Sequence, residues 1–268
     1  MPDAGIAERL ALAETIARDA GALAMRHFNA RGDLAIGTKA NAQDVFSAAD
    51  RDVETLIRDA VSARFPGDGF LGEEFGLSTG TSGFTWVVDP IDGTSPFIFG
   101  LRDWCVSIAI LQDMVTGAGV IFVPTGDEMF TCRQGGGAFL NGRRLSLDAQ
   151  RTLGDGLTGF GANFRVPRAS ILRFLDELLD FGGMFIRNGS GAKMLAEVAA
   201  GRLVAYYEPH MNSWDCLAGL LLVREAGGVT GPLPDGDLLE TGGPVIAAAP
   251  GAGDDLQAMV ARSLAATG

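Results

Sequence analysis

Cysteine and histidine are scarce in this chain. Its three cysteines, Cys105, Cys132 and Cys216, are widely separated and form no Cys-x-x-Cys pair. An odd, scattered set in a chain of this size gives no disulfide framework, and they read as buried free thiols. There are two histidines, His27 and His210, too few to build a His/Cys zinc centre. Runs of positive charge are also missing. The longest is Arg143-Arg144, in a chain whose net charge is −12. Such a surface repels a polyphosphate backbone, which argues against a nucleic-acid partner. No stretch approaches the roughly 18 apolar residues that a membrane span requires. The longest notable run, Leu217 to Val223, ends at Arg224-Glu225. The opening Met-Pro-Asp-Ala-Gly has no basic segment leading into an apolar one, as a signal peptide would. The expectation is a soluble, cytoplasmic protein with no membrane or nucleic-acid partner.

What is present is a large apolar fraction. Of 268 residues, 47% are hydrophobic, enough for one large core or two halves sharing one. The 38 glycines cluster at turn-like places, as expected of many short strands. Apolar periodicity predicts helices over 5–28, 48–64, 170–179, 192–200, 214–226 and 254–266. Short strands are expected at 84–89, 104–111, 119–123, 128–132, 138–140, 157–160, 185–186, 203–207 and 245–248. Pro90 is expected to stop the first of these strands. Asn141-Gly142 has the composition of a tight hairpin turn. A boundary is placed between an α+β half, 1–147, and an α/β half, 148–268, with the active site between them.

The informative segment is Trp86-Val-Val-Asp-Pro-Ile-Asp-Gly-Thr94. An apolar strand delivers Asp89 to a proline turn, and Asp92 follows three residues later. Carboxylates brought together repel unless they share a proton or a cation. Mg²⁺ prefers oxygen ligands, typically one or two carboxylates plus a substrate phosphate. The Ile91 carbonyl, between the two acids, is a further oxygen donor. An Asx turn capping a helix would use the same fragment equally well. Leu71-Gly72-Glu73-Glu74 offers two acids after a glycine, compatible with an inward ligand or a solvated loop. Trp214-Asp215 opens an apolar helix, where Asp also serves as a cap or first-turn acid. Lys39, Asp44 and Asp50 precede or open the second helix, where capping and surface charge are the plainer roles.

Taken in order, these blocks, with Glu225-Ala-Gly-Gly228 after them, resemble the inositol monophosphatase family of Mg²⁺-dependent, Li⁺-sensitive phosphatases. The resemblance covers nearly the whole chain. It implies a layered α-β-α-β-α sandwich, with an N-terminal antiparallel sheet and a C-terminal mixed sheet, and a homodimer. It implies two or three Mg²⁺ ions per site. Glu73, Asp89 and the Ile91 carbonyl would hold the first; Asp89, Asp92 and Asp215 the second; a weaker third would lie near Glu73. The implied reaction is in-line attack of a metal-bound water on a small phosphate monoester. Thr94 would orient that water with Asp50 accepting the threonine proton, and Glu73 is the other candidate for activating it. Backbone N–H groups of Gly93 and Thr94 would bind phosphate oxygens, and Asp92 and Asp215 would also contact the substrate. Ser190, Gly191 and Glu208 would line the substrate pocket, and Lys39 would support the loop or the metal-water network.

Three places depart from the family pattern: Ser95-Pro96-Phe97 after the hexapeptide, Phe46-Ser47, and Gly191. They lie outside the metal ligands and bear on substrate choice. Glu208 stands seven residues before Asp215, as does the family's glutamate that binds ring hydroxyls, so the resemblance implies a polyol phosphate such as inositol 1-phosphate. The alternatives are a histidinol-phosphate phosphatase, a 3′-phosphoadenosine-type nucleotidase, and a catalytically idle regulatory protein on the same fold. Arg187 is a candidate substrate or dimer contact, and His210 is expected to be a loop residue.

Overall fold

The structure is a computed structural model that describes residues 2–30, 36–38, 45–163, 165–231 and 238–265. Two long helices, α1 (Pro2–Asn29) and α2 (Ala48–Arg64), flank a two-stranded ribbon, β1 (Ile36–Thr38) and β2 (Val45–Ser47). Next come β3 (Gly69–Gly72), β4 (Gly76–Ser78), β5 (Phe84–Asp92), the short helix α3 (Thr94–Ile98), β6 (Cys105–Gln112), β7 (Val115–Val123), β8 (Glu128–Arg133), β9 (Gly137–Leu140) and β10 (Arg143–Arg144). These strands form an eight-stranded sheet in the order β10-β9-β8-β7-β6-β5-β3-β4. The sheet is antiparallel except where β3 runs parallel to β5.

The second half contains β11 (Leu157–Phe160), α4 (Arg168–Asp180), β12 (Met184–Ile186), α5 (Gly191–Ala199), β13 (Ala205–Met211), α6 (Ser213–Glu225), β14 (Val229–Thr230), α7 (Leu238–Thr241), β15 (Gly243–Ala248) and α8 (Gly253–Ala265). Its five-stranded sheet has the order β12-β11-β13-β15-β14. Parallel β12-β11-β13 pairs sit beside antiparallel β13-β15-β14 pairs, so the sheet is mixed.

Three apolar clusters set the layers. Ile16, Ala20, Val53 and Ile57 of α1 and α2 pack on Trp86, Val88, Ile108 and Val120 of the large sheet. The opposite face of that sheet, through Val87, Ala109 and Ile121, meets α5 and α6, which also bury Tyr206 and Ala247 of the small sheet. Phe174 and Leu178 of α4, with Leu256 and Val260 of α8, cover the outer face of the small sheet at Phe160 and Tyr207. The result is the expected α-β-α-β-α sandwich. Between the sheets, α6 is apolar all round, with Cys216 through Val223 buried without interruption, as a fully enclosed helix must be. The boundary drawn at 147/148 falls in the connection from β10 to β11.

Two expectations are corrected. Pro90 does not stop its strand, because β5 continues to Asp92. Its partner on one side, β3, ends opposite Val88, so no donor is required there. On the other side the register with β6 slips between Asp89 and Asp92, a bulge that accommodates the proline and re-aims the acids. His210 is not in a loop: β13 runs through Pro209 and His210 to Met211.

Candidate active site

The bulge at the end of β5 places Asp89, Ile91 and Asp92 at the mouth of the large sheet, and the N-terminus of α6 brings Asp215 to meet them. Ligand atoms of Asp89, Asp92 and Asp215 all lie within 4.8 Å of one another. They line a cleft of about 240 Å³ together with Glu73, Ile91, Gly93, Thr94, Glu208 and His210. Asn163, Arg165, Gly189, Met211 and Asn212 complete its wall.

The support of each acid follows from local structure. Asp89 Oδ1 accepts the Ile91 N–H at 2.9 Å, the Asx-type contact that the sequence pattern allowed. Asp92 is buried against the start of α5. Its Oδ2 accepts the Ser190 hydroxyl at 2.6 Å and the Ala192 N–H at 2.7 Å, and Oδ1 accepts the Gly191 N–H at 3.3 Å. Asp215 is the third residue of α6 and closes a capping box with Asn212. Its Oδ2 accepts the Asn212 backbone N–H at 3.1 Å and side-chain N–H at 3.2 Å. Asp215 is therefore both a cap residue and a member of the acidic cluster; the two readings open in the sequence are not exclusive.

Electrostatics is severe here. Burial pushes the Asp89 carboxyl well above the usual carboxylate range, and the charges of Glu73, Asp92 and Asp215 push it further. Asp215 is raised well above that range by burial and then by Asp92 and Glu73. Burial also raises Asp92, against the opposing hydrogen bonds from α5. Carboxylate oxygens of Asp89 and Asp215 lie within 4.8 Å of one another, a proximity that calls for a shared proton or a cation. The donor set is all oxygen, with a main-chain carbonyl beside the acids and polar cleft walls. It fits a hard divalent ion such as Mg²⁺, and Asp89, Asp92 and Asp215 are the residues best placed to hold it.

Thr94 follows Gly93, which sits in the left-handed region at φ 95°. A Cβ on Gly93 would lie 2.7 Å from the Asp103 carbonyl, so glycine is required for both conformation and space. The Thr94 hydroxyl is 3.3 Å from Asp50 Oδ1 and 3.2 Å from the Ile91 carbonyl. Asp50 is 1% exposed in the first turn of α2. Pro96 falls in the first turn of α3, whose N–H groups have no helical partner.

Other expected residues are placed differently. The Ser190 hydroxyl and the Gly191 N–H donate to Asp92, while the Ser190 N–H donates to Asn188 Oδ1; Ser190 also borders a smaller pocket with Arg187, Tyr206 and Glu208. Glu208 faces both pockets and accepts the Tyr206 hydroxyl. Burial raises its carboxyl, against that hydrogen bond. Arg187 donates to the Ala162 carbonyl at 3.2 Å. The His210 imidazole is lowered by burial and by Arg165. Lys39 and Asp44 lie outside the described residues, as do the side chains of Phe46 and Ser47. Asn212 and Arg165, whose guanidinium donates to Asn212 Oδ1 at 3.1 Å, were not anticipated. The signal for Asn212 was its position three residues before Asp215, the spacing of a capping box.

A fold of this kind, with an acidic cluster at a β-bulge facing a helix N-terminus, matches a known class. The model of the inositol monophosphatase family matches residues 6–266, and the chain belongs to that family. It is 41% identical over 214 residues to an inositol-1-monophosphatase of Rhizobium meliloti, covering 78% of this chain and 79% of the relative. It is 39% identical over 214 residues to the Nus factor SuhB of Xylella fastidiosa, covering 79% and 77%. Among solved structures it resembles the extragenic suppressor protein suhB of Bartonella henselae, with TM-score 0.89 and 33% identity over 94% of this chain and 98% of that one.

Proposed function

We propose that this protein is a Mg²⁺-dependent phosphatase of small phosphate monoesters, with inositol 1-phosphate or a similar polyol phosphate as substrate. The observation that carries this reading is the convergence of Glu73, Asp89, Asp92 and Asp215 on one cleft beside the Thr94–Asp50 contact. Bound Mg²⁺ would supply the positive charge that neutralises the acids, draws in the phosphate and makes a water acidic enough to attack. Thr94 would accept a hydrogen bond from that water and, as it takes the water's proton, would hand its own hydroxyl proton to Asp50, which is buried and within reach. Glu73, on the same wall, is a second acceptor for a proton. The Gly93 and Thr94 N–H groups at the entry to α3 orient phosphate oxygens.

For the remainder of the substrate, the cleft presents Glu208, Asn163, Asn212, Arg165 and His210. This mixture of donors and acceptors of both signs suits a neutral ring bearing hydroxyls. A cationic group such as that of histidinol phosphate would meet Arg165 on the same wall. The relatives named Nus factor SuhB favour a second reading, a regulatory role on this scaffold. A purely regulatory protein has no use for a full set of metal ligands, so this role is placed beside catalysis and not instead of it. The exposed apolar edge strand β12, Met184–Ile186, supports assembly as a homodimer. The test is phosphate release from inositol 1-phosphate, histidinol phosphate and adenosine 3′,5′-bisphosphate, with and without Mg²⁺ and Li⁺. Mg²⁺-dependent, Li⁺-inhibited release greatest for the first is expected; no release from any overturns the enzyme reading.

A further inference from the structure

A second acid on α2 has no place in the site as described. Glu54 is 0% exposed on the apolar face formed by Val53, Ile57 and Val61, four residues after Asp50 and so on the same side of the helix. A carboxylate in such a position must be fully used. Its Oε2 accepts the Glu74 N–H at 2.7 Å, and its Oε1 accepts the Phe75 N–H at 3.2 Å. Arg58 donates to the same Oε1 at 3.1 Å and reaches on to the Gly76 carbonyl at 3.3 Å. Glu74 and Phe75 belong to the turn between β3 and β4, which starts at Glu73, and Gly76 opens β4. The Glu73 N–H itself bonds the Val88 carbonyl at 3.3 Å. Gly72 lies so close that a Cβ there would stand 2.0 Å from Glu54 Oε1.

We propose that Glu54 is a positioning residue for the metal site. It fixes the backbone on which Glu73 is presented to Asp89 and Asp215, and Gly72 is glycine to let its carboxylate approach. Helix α2 thereby sets both flanks of the cleft, Thr94 through Asp50 and Glu73 through Glu54. The inference rests on the metal-dependent reading above. A purely structural role would be to satisfy the backbone donors of a turn, as Glu225 does for the Gly135 and Gly137 N–H groups at 2.8 and 2.7 Å, on a loop that lines no part of the cleft.

That parallel provides the control. Mn²⁺ binding is measured by electron paramagnetic resonance on the full chain, as wild type, Glu54→Gln and Glu225→Gln, with thermal melting of each. Glu54→Gln is expected to weaken Mn²⁺ binding about 10–100-fold, the usual cost of losing a group that orients a ligand, and to raise the Mg²⁺ concentration needed for half-maximal phosphate release in step. Glu225→Gln is expected to lower the melting temperature and leave Mn²⁺ affinity unchanged. Unchanged affinity in Glu54→Gln, or equal losses in both variants, overturns the proposal. If Glu54→Gln fails to fold, Arg58→Gln leaves both acceptors in place but loosens Glu54. It is expected to weaken binding in the same direction, and unchanged affinity there overturns the proposal. A wild type that binds no Mn²⁺ instead overturns the metal reading itself, and this inference with it.

Discussion

Thr94 illustrates how one side chain gathers its role from three elements. Its hydroxyl lies between the Ile91 carbonyl at the β5 bulge and Asp50 on α2. If it hands on a proton during attack, Thr94→Val should lower kcat by about 10²-fold or more and leave Mn²⁺ affinity intact. Steady-state kinetics with a parallel Mn²⁺ titration checks this; an unchanged kcat places the water elsewhere. Thr94, Asp50 and the four acids were legible from sequence because their motif blocks occur in order. Glu54 was not, because an acid on an apolar helical face looks like any solvated charge until its neighbours are known. Only the i, i+4 spacing from Asp50 hinted at it. That Ser190 and Gly191 also hold Asp92 was not legible, because sequence cannot tell which side chain a helix-entry hydroxyl or N–H will meet. The fit of Gly161 against Glu208, where a Cβ would lie 2.1 Å from Oε2, was likewise invisible.

Among the elements, the entry to α3 is the most constrained. Gly93 takes φ 95° and ψ 42°, and its Cα faces the Asp103 carbonyl and the Ser190 side chain. Gly93→Ala should therefore cost about 1–3 kcal/mol from backbone strain alone, and displace Thr94 so that kcat also falls. Urea unfolding and kinetics on the same preparation measure the two effects; a variant as stable and active as wild type contradicts the geometry. Helix positions followed from apolar periodicity to within a few residues. The strands β3 and β4 escaped because Gly69–Gly72 and Gly76–Ser78 are too short and glycine-rich to show alternation. The course of β5 past Pro90 depended on where its neighbour β3 ends, a fact of topology and not of local propensity.

Across the molecule, the acidic cluster couples stability to pH and to metal. Without metal, burial raises Asp89, Asp92 and Asp215, and repulsion from neighbouring carboxylates adds to it at Asp89 and Asp215. Above the ordinary carboxylate pKa of about 4, the folded protein then holds more protons than the unfolded chain. Stability from these groups is therefore fully present at low pH and is lost as pH rises toward their raised values. A divalent ion replaces those protons. The gain in melting temperature on adding Mg²⁺ should thus grow from pH 5 to pH 8. At a hundred times Kd the added stability should reach about 2.7 kcal/mol, a rise of about 5–11 °C in melting temperature. Thermal melts with and without Mg²⁺ across that range test it, and a gain independent of pH contradicts it. No helix among the described residues is long and apolar enough to span a bilayer.

We propose that Asp89 anchors the metal site at which phosphate monoesters are hydrolysed. The most direct measurement is inorganic phosphate release from inositol 1-phosphate against Mg²⁺ concentration, for wild type and Asp89→Asn. The wild type should turn over only with Mg²⁺. Asp89→Asn should lose more than the about 10–100-fold typical of a residue that merely supports a ligand. Full activity in Asp89→Asn, or release by the wild type that ignores Mg²⁺, would contradict the account.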